Sequence, residues 1–531
     1  MKKSSIKLIF PVAILILGLS SCTKMNDVDI LNTGGFTDST AALKDATDIP
    51  MGVAIDYPAM VNNSAYSNVV KRDFDRVTFG NLMKHSSIVS NTGVMNFTNT
   101  DALVASVGPM DIFGHTLGWH SQQNATYLKT YSGLQVPAAA ELATNPGFEA
   151  GMTGWSVFNS NGATISATTV AGDLHGGTGA MKVVNPTAWT GNQWRVQVSS
   201  TAFTTQIGKQ YTISYWVKAA SPGGSIRLST GPTNAQYQGD QTIGTVYQQV
   251  IWTITADITS TTFLFDMGQV ANTYYIDDVS VKEVIPVPGG AQIATKLDEA
   301  LGFFITAMVD RYKSKVKAWD VVNELLDDNG NLRNNSNSPT PSGATDWFVW
   351  SNYLGRDYAL KAFNYAKAAD PTALLFINDY NLESRSVKLD SLIKMVAELK
   401  ARGAKVDGIG TQLHITRATS YDGIDKMFQK LAATGLKIHV SEMDVRINPN
   451  VVPGYKLTAM EENYQGVMYQ YVVQSYLKYI PKAQQFGITV WGVSDNTSWL
   501  YNNGKDFPLL YHADFSKKQA YSAVLKALKG Q

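Results

Sequence analysis

The chain has 531 residues, which is enough for two to four domains with substantial cores. Charged residues make up only 16% and the net charge is +1, so no electrostatic case exists for binding nucleic acid or an anionic membrane surface. The 11 Trp and 25 Tyr suit a neutral partner with apolar faces, although most such rings belong in cores, and a single cysteine excludes an intrachain disulfide.

Lys2 and Lys3 precede an apolar run, Ile9 to Leu19, that is too short to span a bilayer as a permanent anchor. Leu19-Ser20-Ser21-Cys22 follows and resembles a bacterial lipoprotein cleavage box. The resemblance implies removal of residues 1–21 and lipid attachment at Cys22. It further implies a cell-envelope lipoprotein, placed in the outer membrane facing the exterior, that touches the membrane only through this anchor. Residues 22–47 are polar and aperiodic, and predict a tether.

From Asp48 the pattern is strand, helix, strand. Ile49 to Ile55 is an apolar run ending in Asp56 and Pro58; Phe74 to Thr78 and Ile112 to Leu117 are the next two strands. Near Pro137 the texture changes. Thr, Ser, Gly, Asn and Val dominate from Glu141 to Val284, in short period-two runs such as Tyr211–Val217 and Tyr274–Val281. Such runs, separated by turn residues, predict a β-sandwich. Ile285 to Gly290 reads as an exit linker. Helical spacing returns at Ala294, Leu297, Ala300, Leu301, Phe304, Ile305 and Met308. Strands then follow at Val316–Val322, Ala373–Asn378, Val406–Thr411, Lys437–Ser441 and Gly487–Trp491. With the first three they complete eight βα units. The predicted fold is an α/β (β/α)8 barrel interrupted after strand 3 by an all-β jelly-roll sandwich. The barrel takes residues 48–136 and 289–531, and the insert takes residues 137–288.

In such barrels reactive groups lie at the C-terminal ends of the strands. Two strands end in glutamate: Trp319-Asp320-Val321-Val322-Asn323-Glu324 and His439-Val440-Ser441-Glu442-Met443-Asp444. Glycoside hydrolysis needs such a pair, one acid to protonate the leaving oxygen and one carboxylate to attack or to activate water.

These two segments resemble the acid/base and nucleophile motifs of glycoside hydrolase family 10 xylanases. Gly114–His120, Asn378–Asn381, Asp407–His414 and Thr489–Asp495, with Trp499 after it, resemble the family's signatures on strands 3, 5, 6 and 8. The resemblance implies an endo-1,4-β-xylanase that acts on xylan and xylo-oligosaccharides as a monomer, with no cofactor for catalysis. It makes Glu324 the general acid/base and Glu442 the nucleophile, with carboxyls ~5–5.5 Å apart for retaining chemistry. The Glu442 charge should raise the Glu324 pKa at the start of the cycle. His414 and Gln412 match residues near the nucleophile, and Asn323 the residue that holds the sugar 2-hydroxyl. Asn81, Lys84, His115, Trp119, Tyr380, Trp491 and Trp499 match cleft positions. The strand 2 pattern departs from the family: Gly80 stands where glutamate is usual and His85 where tryptophan is usual. Both usual residues grip the sugar distal to the cleavage point on the non-reducing side.

His115 and His120 lack a third ligand at metal spacing and read as sugar binding or packing. His439 alternates with Val440 and is expected to face the helix layer, while His175 and His512 read as surface histidines. Trp347 and Trp350 fit core and cleft equally.

Thr144–Glu149 with Gly154-Trp155, Gly176–Val183 and Tyr274–Val281 resemble carbohydrate-binding modules of the family 4/22 type. That resemblance implies a sheet face that takes one glycan chain, with Trp189, Trp194, Gln197 and Tyr237 as candidates for its lining. It also suggests a structural calcium at Glu149 and Asp278. A decayed barrel that only binds glycan, or another β-1,4-glycanase such as an endoglucanase, are the competing readings.

Overall fold

The structure is a computed structural model that describes residues 35–136, 138–286 and 288–531. Cys22 and the leader lie outside the described residues. The chain divides into two compact units, one running to Ser132 and resuming at Gly289, the other spanning Gly133–Pro288.

The first unit is built on eight parallel strands: β1 (Met51–Ile55), β2 (Arg76–Phe79), β3 (Asp111–Gly114), β4 (Val316–Asn323), β5 (Leu374–Asp379), β6 (Gly408–Thr411), β7 (Lys437–Arg446) and β8 (Gln485–Val490). They pair in sequence order from β1 to β6, β6 pairs with β7, and β8 joins β7 back to β1, so the sheet closes into a barrel. Every residue of β1, β2 and β6 is buried, as expected for strands covered on both faces. Long helices, among them Gly290–Tyr312, Ser386–Ala401 and Ala459–Tyr479, alternate with the later strands.

Two features set the upper rim. The pairing of β7 with β8 slips between Val440 and Met443, and that of β4 with β5 slips between Asp320 and Val322. Such bulges re-aim side chains. Just beyond the strand ends Glu324, Asn381 and Leu413 take positive φ of 52°, 59° and 54°, a region that non-glycine residues seldom occupy.

Three expectations are corrected. Strand β7 continues past Glu442 because Asp444–Arg446 pair with an additional short strand, His414–Thr416. His439 faces the barrel interior, where it meets Phe113, Phe376 and Phe486 and reaches Thr489 Oγ1 at 2.9 Å. The segment read as a tether is packed from Phe36 onward: Phe36 and Leu43 are buried, and Tyr521 donates to the Ala41 carbonyl at 2.7 Å.

The second unit contains two antiparallel sheets. One orders its strands 241–243, 224–231, 260–266, 197–200 and 155–159, with 203–204 beside 260–266; the other orders 248–255, 210–219, 272–283, 180–185 and 164–168. Strand Gln210–Ala219 alternates buried and half-buried residues along almost its whole length. Inward side chains of both sheets, including Val198, Phe263, Phe265, Ile213, Tyr215, Val217 and Ile276, share one core. Strand Asn272–Glu283 bulges between Asp277 and Ser280, where Asp278 takes a φ of 44°.

Close packing also fixes a glycine beneath the rim. A methyl group on Gly114 would lie 2.1 Å from Cε3 of the fully buried Trp319. Gly114→Ala should therefore destabilise the barrel unit by roughly 1–3 kcal/mol, read as a lower urea midpoint for its unfolding. An unchanged midpoint would mean that Trp319 moves aside freely.

Candidate active site

A cleft of about 670 Å³ opens at the C-terminal ends of the strands, and residues from or following all eight strands line it. Every barrel position singled out in the sequence as catalytic or substrate-binding lies on its wall.

Glu442 is 4% exposed. Its Oε1 accepts from Asn378 Nδ2 at 2.7 Å, and its Oε2 lies 3.3 Å from His414 Nε2. The other ring nitrogen of His414, Nδ1, lies 2.8 Å from Asp444 Oδ2, which also accepts from Trp499 Nε1 at 3.1 Å. Only the imidazolium can donate to both carboxylates. Burial alone would lower the His414 pKa, but Asp444 and Glu442 raise it to about 10. Burial favours a neutral Glu442; His115, His414 and Lys84 outweigh that and hold it below the usual glutamate range.

Glu324 has a different environment. Its Oε1 accepts from Gln412 Nε2 at 3.1 Å and lies 3.5 Å from Asn323 Nδ2, and its Oε2 is 3.8 Å from His120 Nε2. The Asn323 carbonyl oxygen already accepts from Asn378 and Gln412. This orients the Asn323 amide, leaving Nδ2 as the group offered to the cleft.

Around this pair, His115 Nδ1 contacts Asp320 Oδ2 at 2.9 Å, both groups being buried. Burial raises the Asp320 pKa to about 6, with His115 opposing the rise. Trp491 meets His115 edge-on. Lys84 Nζ sits 4.7 Å above the Trp119 ring, and burial lowers its pKa to about 8 against the attraction of Glu442, Glu324 and Asp56. Asn81 lines the same wall. The Tyr380 hydroxyl accepts from Arg333 Nη2 at 2.7 Å. Trp499 is 64% exposed, so its ring is open to a ligand.

Among the cleft residues, the sequence does not single out Arg333 and Asp56 as site residues, whereas Trp347 and His120 read as either cleft or packing. Arg333 lies in the long segment after β4, where no periodicity marks a position, and it braces Glu324 by donating from Nε to its carbonyl at 2.9 Å. Trp347 comes from the same segment and meets the His120 ring edge-on. His120 is therefore a neighbour of Glu324, and Asp56 closes the list at the end of β1. Trp350, by contrast, is core. His85 does not line the cleft: it is buried, and its Nδ1 accepts from the Asn124 N–H at 3.0 Å. Gly80 does line the cleft. Among the described residues no group of three or more His, Cys, Asp or Glu side chains is arranged to hold a metal ion.

In the second unit the outward face of one sheet carries a polar row across neighbouring strands. Asn159 Nδ2 donates to Gln197 Oε1 at 2.7 Å, Gln197 Nε2 to Asp266 Oδ1 at 2.7 Å, and Arg227 Nε to Asp266 Oδ2 at 2.9 Å. Gln197 is thus buried and engaged at both ends of its amide, unlike a free lining residue. Trp194 and Tyr237 are exposed, whereas Trp189 packs partly against the core. The guanidinium of Arg195 lies over both Trp189 and Trp194, and that of Arg227 over Tyr237. Glu149 accepts from the Thr178 N–H at 2.8 Å, and Asp278 Oδ2 lies 2.6 Å from His175 Nδ1. Both carboxylates border the Gly176–Gly177 turn. His175 is exposed, as the sequence reading expects, and its ring stacks on Trp216.

A family model described as glycosyl hydrolase family 10 matches residues 39–220 and 287–527. Among curated relatives, endo-1,4-beta-xylanase A of Thermoanaerobacterium saccharolyticum is 37% identical over 234 residues, which is 42% of this chain and 18% of that protein. Exoglucanase XynX of Acetivibrio thermocellus is 37% identical over 229 residues, 41% of this chain and 19% of that protein. Endo-1,4-beta-xylanase A of Cellvibrio japonicus is 35% identical over 243 residues, 43% of this chain and 39% of that protein. The chain thus spans well under half the length of these relatives. Among solved structures, a GH10 protein from Paenibacillus barcinonensis aligns with 92% of this chain and 97% of its own at a TM-score of 0.56 and 21% identity, which shows the shared fold. Because the family model covers most of the sequence and spans both segments of the barrel, the chain belongs to glycosyl hydrolase family 10.

Proposed function

We propose that this chain is an endo-1,4-β-xylanase that cleaves internal linkages of xylan by a retaining double displacement. The observation that carries the reading is the unequal setting of the two glutamates. Glu442 is buried beside cationic groups that keep it ionised, while Glu324 Oε1 is met by the neutral amides of Gln412 and Asn323. The names of several relatives support xylan as the polymer.

In this mechanism Glu442 attacks the anomeric carbon while Glu324 gives its proton to the departing glycosidic oxygen. A glycosyl ester on Glu442 results, and the carboxylate charge disappears. Glu324, now ionised, takes a proton from water as that water attacks the same carbon. Glu442 leaves, and the anomeric configuration is retained. Asn323 Nδ2 donates to the 2-hydroxyl, a contact that strengthens as positive charge develops on the ring. His414, itself held by Asp444, keeps Glu442 oriented for attack.

The second unit is proposed as a jelly-roll xylan-binding module of the family 4/22 type, with the chain lying along the polar row between Trp194 and Tyr237. Glu149 and Asp278 would supply carboxylate oxygens to a structural calcium, a hard cation that takes oxygen donors. Attachment to the cell envelope through Cys22 is carried by the leader sequence alone.

Hydrolysis of glucuronoarabinoxylan tests the enzyme. Wild type should release short xylo-oligosaccharides with β-configured new ends, Glu442→Ala should release none, and Glu324→Ala should be slowed by about 10²–10⁴-fold. Binding without cleavage by wild type would leave a glycan-capture protein.

The pH profile tests His414. Glu442 must be ionised in the free enzyme, so the acid limb of kcat/KM reports its titration. Its pKa is lowered, which places the loss of activity below the usual glutamate range as pH falls. His414→Gln removes the cation and should move that limb to higher pH. A limb that stays in place would assign the lowering to His115 and Lys84.

Calcium is tested by thermal unfolding of the whole chain. EDTA should lower the transition of the second unit, and Asp278→Asn should abolish the difference between calcium and EDTA. Curves that coincide in wild type would remove calcium from the proposal.

A further inference from the structure

We infer that Asp56, at the end of β1, binds substrate: its carboxylate works with Lys84 to grip the hydroxyls of the second sugar on the non-reducing side of the scissile bond. The inference rests on the xylanase reading and adds a binding residue to it.

Asp56 stands where an ordinary structural role is ready for it and does not take that role. It is the N-cap of helix Tyr57–Asn62, yet its side chain makes no capping hydrogen bond. Capping is the usual reason for aspartate at such a position. Its backbone N–H is satisfied by the Tyr66 hydroxyl at 3.2 Å. Among the described residues no hydrogen bond to its carboxylate is found. The side chain lies half-buried on the cleft wall, where burial disfavours its charge and Lys84 alone opposes that effect. A partly buried carboxylate without donors is costly to a folded protein. Sugar hydroxyls are donors that the cleft itself would bring.

The neighbouring strand end leaves room for such a ligand. The Gly80 N–H donates to the Ile55 carbonyl at 3.1 Å, which ties the ends of β1 and β2 together. A methyl group on Gly80 would meet Asp56 Oδ1 and the Ile55 carbonyl only at 3.6 Å, an ordinary contact. The position therefore tolerates a side chain and carries none. The wall there presents the Asp56 carboxylate and the Lys84 ammonium. One is an acceptor and the other a donor, the combination that a vicinal diol can satisfy at once.

Position places Asp56 along the cleft. Its Oδ1 lies 3.6 Å from the point a methyl group on Gly80 would take, and Asp56, Gly80, Asn81 and Lys84 line the same cleft. Gly80 matches the family position that grips the sugar distal to the cleavage point on the non-reducing side, so the Asp56 carboxylate stands beside that sugar.

The test compares kcat/KM of the full chain on an aryl β-xylobioside, which fills two glycone positions, with that on an aryl β-xyloside, which fills one. The ratio of the two should fall about tenfold in Asp56→Ala, the scale of one charge-assisted hydrogen bond. Part of the loss should appear in kcat, because remote binding energy is used at the reacting centre. Asp56→Asn reads the same ratio with almost no change of volume, should the alanine variant unfold. Gly80→Glu introduced into Asp56→Ala returns a carboxylate from the adjacent strand and should restore part of the ratio, which a packing role for Asp56 would not predict. An active wild type whose ratio is unchanged in both Asp56 variants would overturn the assignment alone. A wild type inactive on xylan and on both glycosides would overturn the xylanase reading and the assignment with it.

Discussion

The amide of Asn378 is the contact on which the rest of the cleft depends. It is fully buried on β5. Its Nδ2 donates to Glu442 Oε1 and to Asn323 Oδ1, and its Oδ1 accepts from Ser441 Oγ at 2.7 Å. Its backbone carbonyl accepts the Glu324 N–H at 2.8 Å. One residue therefore touches both glutamates, one through its side chain and one through its main chain. A buried polar network is rigid when its members are satisfied and costly when they are not. This one requires β4, β5 and β7 to converge, which only the closed barrel allows. It also requires Gly410 on β6, where a methyl group would come within 2.3 Å of Asn378 Oδ1.

The geometry at the rim is held against local preference. Glu324 adopts a positive φ, and Glu442 lies where the β7–β8 pairing slips. Backbone in sparsely populated regions costs of order 1–3 kcal/mol per residue and persists only where surrounding packing over-determines it. Fully buried Trp319, Val321 and Val322 below the rim supply that packing. The same rim holds a lowered Lys84, a raised His414 and a raised Asp320 close together. Burial shifts Lys84 and Asp320 against the pull of their neighbours, whereas neighbouring carboxylates shift His414 against burial; such perturbed groups gather at functional sites.

The barrel was legible because parallel strands buried on both faces are short apolar runs, and the helices between them keep a different period. The glutamates were legible because they close such runs. His439 shows where this reasoning stops. Strict alternation from an inward Glu442 sends His439 outward, but Ser441 bonds to Asn378 and His439 meets Phe113, so both face inward together. The bulge between Val440 and Met443 breaks the parity, and no residue type announces it. Phe36 and Leu43 were hidden for another reason: two apolar side chains in a polar stretch carry no period, yet they suffice to dock it. Arg333 and Trp347 reach the cleft from a long connection whose path depends on the finished barrel. Asp56 was visible as the end of an apolar run, but only the missing cap bond separates it from an ordinary helix start.

The two units place similar side chains in settings that predict opposite chemistry. On the sandwich face Asp266 Oδ1 accepts from Gln197 and Ser229, and Oδ2 accepts from Arg227. Both oxygens are engaged by fixed donors, so this carboxylate braces a surface. In the cleft, Glu324 Oε1 is bonded while Oε2 stands 3.8 Å from the nearest histidine nitrogen, beyond hydrogen-bond reach. An oxygen left open to the cleft is what proton transfer to a leaving group demands. Glu442 lies between these cases. Asn378 fixes one oxygen at 2.7 Å, and the longer 3.3 Å contact from His414 leaves the other loosely held. That arrangement keeps the carboxylate charged and oriented while leaving one oxygen able to form a bond to carbon. On the proposed mechanism, what distinguishes a reactive carboxylate from a structural one in this chain is which oxygen its neighbours leave free.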